Sequence, residues 1–454
     1  MPVAIQFLLS SVLSFPFSLL DAWEAAANAR LAVRMKAIAA AGDPASLAEL
    51  AKRYPDPPPG RNAAELYNAA FEKMDAIENQ AERLAGPLPI VGDGQLPDVA
   101  DALPPAMLAR IRRYLAAQAE VLPLLHKAAE REGCKFSLDF DKGMGMLLPH
   151  LAKLRQAARL LALEAIERTE SGKADDAADS LFACLRAGEA LRQEPILVST
   201  LVRIAITTTA ANQAERWASR AKPTPAALAR LQAAFAAAAD ARMIDNAMVG
   251  ERCFGIDAYQ THVLAADRRK MLAALGEGDP PFPLAVNLIP RAYFKMDMCH
   301  YLDIMNHYVA SARKPYPENF LAGARISRQQ LDAKIPRHYV VARVILPALA
   351  GVFTAGQQHM ARCESARTAL AALRYRAKHG RLPAALADMV PEFIPAVPPD
   401  PFDGQPIRYR AEAAGLTVYS VGENLKDDAG ATEQPPGGKP LDIGFRIRWP
   451  KAQF

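Results

Sequence analysis

Up to about residue 380, apolar residues recur three and four positions apart and alanine fills many places between them, which predicts helix over most of the chain. The pattern is clearest at residues 150–192. Leu151, Leu154, Ala158, Leu161 and Ala165 fall on one face, and Ser171-Gly172-Lys173 supplies a turn. Ala177, Leu181, Cys184, Gly188 and Leu191 then line the face of a second helix. Small residues at that contact let two helices approach closely, so the segment reads as a helical hairpin, tetratricopeptide-like in length. No second copy follows at a fixed period, which argues against a repeat array. A third helix is predicted over about Pro195 to Ala221, with Ile196, Val202, Ile206 and Trp217 for packing. Thr207–Thr209 weaken that helix without ending it.

Caps and breaks divide the chain further. Asp43-Pro44 and Thr224-Pro225 read as an N-cap followed by a first-turn proline. Tyr54–Gly60, Gly86–Pro105, Gly276–Pro290 and Lys314–Glu318 are rich in Pro and Gly and read as loops. A helix is predicted over about Ala292 to Ala312, and one long helix over about Arg337 to His379. Pro347 should kink or split the long one, and Gly380 should end it. After Gly380 the period changes to alternation. Prolines cluster between Pro383 and Pro401, and Pro406–Arg410, Leu416–Val421 and Ile443–Trp449 read as strands. The fold class expected is mainly α: a multi-helix domain followed by a small α+β module with a short antiparallel sheet. Its divisions are a hydrophobic and helical segment at 1–60, an α-helical domain at 61–335, and a spine helix with the α+β module at 336–454.

Composition narrows the function classes. The chain has 454 residues, 51% hydrophobic and 23% charged, which suits a folded protein with a sizeable core and excludes a disordered one. A net charge of +5 over that length is too dilute to imply nucleic-acid binding. Cys134, Cys184, Cys253, Cys299 and Cys363 are scattered and never spaced as CxxC, so they read as free buried thiols. Pro2 to Leu20 carries no charged residue, but holds Gln6, four serines and Pro16 and has no basic stretch before it. Three readings stand for this run: a weak anchor or uncleaved export signal, a hydrophobic helix buried in the protein, or the remnant of an anchor starting upstream.

Five short words in order mark the C-terminal module. They are ARTALAALRYRAKHGRLPAAL, PPDPFDGQPIRY, VYSVGEN, the Asp427-Asp428 pair and LDIGF. In this order and spacing, Ala366 to Gly444 resembles the globular part of the major pseudopilin of type II secretion systems. The resemblance covers less than a fifth of the chain. That family's N-terminal processing signature is absent, and the spine helix starts deep in the chain. The chain therefore reads as a pseudopilin-like module fused to a helical domain of bacterial type, not as a processed filament subunit. The resemblance implies a calcium site in the acidic loop, with Asn424, Asp427, Asp428 and Asp442 and the backbone carbonyl of Val421 as ligands. Calcium takes six to eight oxygens from such loops. Asn424 in place of an aspartate, and Lys426 nearby, should weaken it. An ion-free loop held by Asx turns is the competing reading.

Other chemistry is sparse. His300, Asp303 and His307 share one helix face, a spacing open to a transition metal, with Glu251 and Asp257 as nearest additional carboxylates in composition. A polar helix face with hydrogen-bonded histidines explains the same residues. Glu164, Glu167 and Glu170 read as a solvated helix face. No GxSxG, P-loop, GxGxxG or HExxH word is present. The function expected is a non-catalytic cell-envelope or assembly protein that binds a protein partner, with calcium stabilising its C-terminal module. The alternatives are a metal-dependent enzyme with its site in the helical domain, and a soluble scaffold binding a peptide between helices. Membrane association through residues 2–20 and an envelope location are expected, with a cytoplasmic location as the alternative.

Overall fold

The computed structural model describes residues 17–264, 289–332, 338–349, 351–432 and 441–449. Among them the chain is mainly helical, with one small antiparallel sheet near its C-terminal end. The helices are α1 (Phe17–Ala40), α2 (Leu47–Arg53), α3 (Ala63–Ala76), α4 (Glu78–Ala85), α5 (Pro105–Ala117), α6 (Leu122–Ala129), α7 (Pro149–Glu170) and α8 (Ala174–Glu189). They continue as α9 (Leu197–Arg220), α10 (Pro225–Ala238), α11 (Met243–Ala258), α12 (Arg291–Ala312), α13 (Glu318–Asp332), α14 (Val340–Ile345) and α15 (Val352–His379). The strands are β1 (Arg408–Glu412), β2 (Gly415–Ser420) and β3 (Ile443–Arg448), in the order β1-β2-β3.

Local chemistry sets several helix ends. Thr224 accepts from the Ala227 amide and Pro225 fills the first turn of α10, as the Thr-Pro pair predicts. Asp43-Pro44 departs from that expectation. The next helix starts at Leu47, where Ser46 accepts from the Glu49 amide. Asp43 is buried instead, with Arg252 at 2.9 Å and Arg313 at 2.7 Å from its carboxylate. Charge-assisted bonds in a buried site are stronger than the amide bond of a cap, so tertiary contacts claim this aspartate. The long helix expected over Arg337 to His379 is split into α14, a 3-10 turn at Leu346–Leu349 that contains Pro347, and α15. Asp297 of α12 caps α14, accepting from the Val341 and Ala342 amides at 3.0 Å and from the Tyr259 hydroxyl at 2.5 Å. Gly380 ends α15 in the left-handed region, with φ of 73°.

The hairpin α7–α8 forms where periodicity places it, and α9 packs on both of its helices. Every residue assigned to its two faces is buried. Two buried apolar clusters hold the described residues together. One joins Tyr67, Leu154, Leu181, Trp217 and Phe235 to Leu370, Val418, Phe445 and Ile447. The other joins Leu50, Met248, Phe254, Tyr301, Phe320 and Phe353. Helix α15 begins in the second cluster at Val352 and Phe353 and ends in the first at Leu370 and Leu373. The inner face of the sheet therefore shares one core with the hairpin.

Residues 2–16 of the uncharged run, and most of the loop expected at Gly276–Pro290, lie outside the described residues. No helix among the described residues is long and apolar enough to cross a membrane. Helix α1 rests on α12 through Ala27, Leu31 and Ile38, while Leu19 and Val33 are exposed.

Candidate functional site

Two of the C-terminal words are tied together by one carboxylate. Asp400 follows Pro399 and precedes Pro401, so the chain turns there and the side chain caps its own turn, accepting from the Phe402 amide at 2.8 Å. The same carboxylate accepts from the Ser420 hydroxyl at 2.7 Å, the Val421 amide at 2.9 Å and Arg408 at 2.8 Å. It is fully buried, and burial pushes its carboxyl up against the pull of these donors. Nothing in the sequence assigned chemistry to Asp400. Its place between two prolines was the available signal.

The two edges of the sheet differ. Residues 415 and 417 of β2 pair with 448 and 446 of β3, and with 412 and 410 of β1. Alternation along an antiparallel ladder turns the amides of Arg446 and Arg448 away from β2. Both meet α9: Arg446 donates to Glu215 Oε1 at 3.0 Å, and Arg448 to Ser219 Oγ at 3.1 Å. Glu215 and Ser219 are one helical turn apart, about 6 Å, and alternate strand residues are about 7 Å apart, so the two spacings match. The edge of β3 is thus sealed by helix side chains. By the same alternation Tyr409 and Ala411 of β1 direct their amides outward, and Ala411 is exposed.

The acidic loop beside this sheet is held by its own bonds. Asp442 is buried and accepts from the amides of Gly430 at 2.7 Å, Ala431 at 3.1 Å and Asp428 at 3.4 Å. Asn424 Nδ2 donates to Asp428 Oδ2 at 2.7 Å, while Asn424 Oδ1 accepts from the Lys426 amide. Asp427 turns to the Tyr419 hydroxyl at 3.0 Å and the Ala429 amide at 2.9 Å. Asn424, Asp428 and Asp442 therefore form one hydrogen-bonded chain, and Asp427 stands apart from it. Val421 lies at the end of β2, its amide on Asp400.

The helical candidates are dispersed. Both oxygens of Asp303 accept from Arg34 of α1, at 2.8 and 2.6 Å. His300 stacks on Tyr339 with centroids 4.2 Å apart, and burial lowers its pKa toward the neutral ring. His307 is exposed. Glu251 accepts from the Leu197 amide, and Asp257 lies against Gly143. Among the described residues no three His, Cys, Asp or Glu side chains gather as a metal-holding group.

The solvated face expected of Glu164, Glu167 and Glu170 is not what forms. Glu164 is buried and meets His126 at 2.7 Å, Arg168 at 2.7 Å and Ser180 at 2.9 Å. Glu170 binds Arg220 at 2.7 Å and Arg216 at 3.2 Å, and Glu167 binds Arg112 at 2.8 Å. Helix periodicity places these carboxylates on one side but cannot show the partners, His126, Arg112, Arg216 and Arg220, that neighbouring helices bring to them.

Comparison with protein-family models, with curated proteins and with solved structures finds no match to this chain.

Proposed function

We propose that the chain is a non-catalytic assembly protein of the cell envelope, whose pseudopilin-like module binds an extended segment of a protein partner along the free edge of β1. The observation that carries this reading is the asymmetry of the sheet. The edge of β3 is sealed by Glu215 and Ser219, whereas the amides of Tyr409 and Ala411 of β1 point away from β2. An open edge of this kind adds a strand through main-chain bonds. The Asp400 tie, which joins two of the five words behind the resemblance, supports the pseudopilin likeness. The uncharged run Pro2–Leu20 supports the envelope location.

Calcium bound at Asn424, Asp428 and Asp442 would stiffen the loop next to this edge. Rotation of the Asn424 amide would turn its oxygen toward Asp428, and both aspartates keep free lone pairs. These residues fit a weak oxygen-ligand site, with Asp427 left to Tyr419.

A photocrosslinker at the exposed Glu412 tests the reading in cells of the source organism. A discrete adduct with one partner protein is expected, and Ala411→Pro should abolish it. That change removes an outward amide and leaves the ladder to β2 intact. Arg410→Pro, which removes an inward amide, should instead unfold the hairpin. An adduct that persists in folded Ala411→Pro, or no adduct from β1 at all, sinks the proposal.

A further inference from the structure

Away from the sheet, a cavity of about 300 Å3 opens between α3, α6, α8 and the segment Glu132–Cys134. Two hydrogen-bond donors converge on it. Tyr67 of α3 is 1% exposed and lines the cavity, and its hydroxyl has no hydrogen-bond partner among the described residues. The hydroxyl is not among the enclosed unpartnered atoms, so it opens onto the cavity and offers a hydrogen bond to whatever fills it. Arg186 of α8 lines the same cavity. Its Nε donates to the Ala129 carbonyl at 3.0 Å and its Nη2 to the Arg131 carbonyl. No carboxylate pairs with Arg186 among the described residues, and its charge acts on both Tyr67 and Cys134.

The carboxylates around the cavity are already matched. Glu189 takes Arg203 at 2.8 Å and Arg192 at 3.5 Å. Glu132 pairs with Arg61. Glu194, behind Cys134, takes His150 at 3.0 Å and the Ser199 hydroxyl at 2.6 Å. One uncompensated guanidinium is left at the cavity. With Nε and Nη2 taken by those carbonyls, Arg186 Nη1 and the Tyr67 hydroxyl are the donors left to meet a carboxylate or a phosphate.

We propose that this cavity binds a small molecule through an oxyanion group, a carboxylate or a phosphate, held by the Tyr67 hydroxyl and the Arg186 guanidinium. A cavity of about 300 Å3 is of small-molecule size. Cys134 is a bystander thiol at the wall, because burial and the Glu194 carboxylate hold it protonated.

Thermal unfolding of the folded full chain tests this. Phosphate or acetate, against chloride at equal ionic strength, is expected to raise the melting temperature with rising concentration, because a ligand of the folded state stabilises by mass action. A rise with phosphate alone assigns a phosphate ligand, and a rise with acetate alone a carboxylate. Tyr67→Phe keeps the packing and should reduce the rise, and Arg186→Gln should remove it. If Arg186→Gln fails to fold, Tyr67→Phe alone decides. A melting temperature that neither anion changes, or a rise undiminished in folded Tyr67→Phe, overturns the proposal.

Discussion

The backbone amide of Arg446, on the outer edge of β3, donates to the carboxylate of Glu215 on α9, 231 residues earlier in the chain. Ser219 repeats the contact at Arg448 one helical turn further on. The C-terminal sheet is thereby fixed in register on the helical part, and one of its two edges is closed.

That contact makes stability depend on pH. Burial pushes the Glu215 carboxyl up to about 7, against the pull of the Arg446 amide and the charge of Arg362. A carboxyl with a raised pKa binds its proton more tightly in the folded state. Its stabilisation is complete below the ordinary value of 4.5 and is lost as pH rises through about 7. Urea unfolding between those two values should show stability falling as pH rises, and Glu215→Gln should flatten that slope. Equal slopes in the two proteins would show that Glu215 does not carry it.

Asp400 should be the most costly single carboxylate in the module. Replacing it by alanine strands the Phe402 and Val421 amides, the Ser420 hydroxyl and part of Arg408 in a buried site. A loss of about 3–5 kcal/mol is expected from denaturant midpoints at constant m. Asp403→Ala removes a partly exposed partner of Arg408 and of the exposed Gln405 amide, and should cost less, about 1 kcal/mol.

Gly250 of α11 lies against the backbone of Pro195, just before α9. A methyl group there would lie 1.8 Å from the Pro195 carbonyl oxygen, which is backbone and cannot rotate away. Gly250→Ala should therefore cost about 1–3 kcal/mol despite the higher helix propensity of alanine, read as a lowered melting temperature. At Gly172, where a Cβ meets nothing but φ is +75°, the same change should cost less, through backbone strain alone.

Calcium added to chelator-treated protein should raise the melting temperature of the wild type. The gain corresponds to about 2.7 kcal/mol at a hundred times the dissociation constant. Asp428→Asn should abolish the increase, while Asp427→Asn, on the side of the loop facing Tyr419, should keep it. An unchanged melting temperature in the wild type rejects the ion.

Local periodicity and turn chemistry were legible in the chain itself. The α7–α8 hairpin, the Thr224 cap, the stop at Gly380 and the three strands all follow from contacts within a few residues. The interruption at Pro347 follows too, because proline removes its own amide from the ladder. Carboxylates were the opposite case. Asp43, Glu164 and Glu170 have surroundings, read along one helix or turn, that suit a cap or a solvated face. Arg313 for Asp43, His126 for Glu164 and Arg220 for Glu170 all arrive from other segments, up to 270 residues away.

Neighbours three and four positions along settle which stretches are helix and which are strand, but ends such as the one expected at Asp43 and the start expected at Pro406 shift by a few residues. Three features arise from packing through space alone: the sheet shares a core with the hairpin, α9 closes one strand edge, and Tyr67 and Arg186 line one cavity. The reason is physical. Packing and the pairing of buried charge depend on distances through space, and the order of residues along a chain does not encode those distances one element at a time.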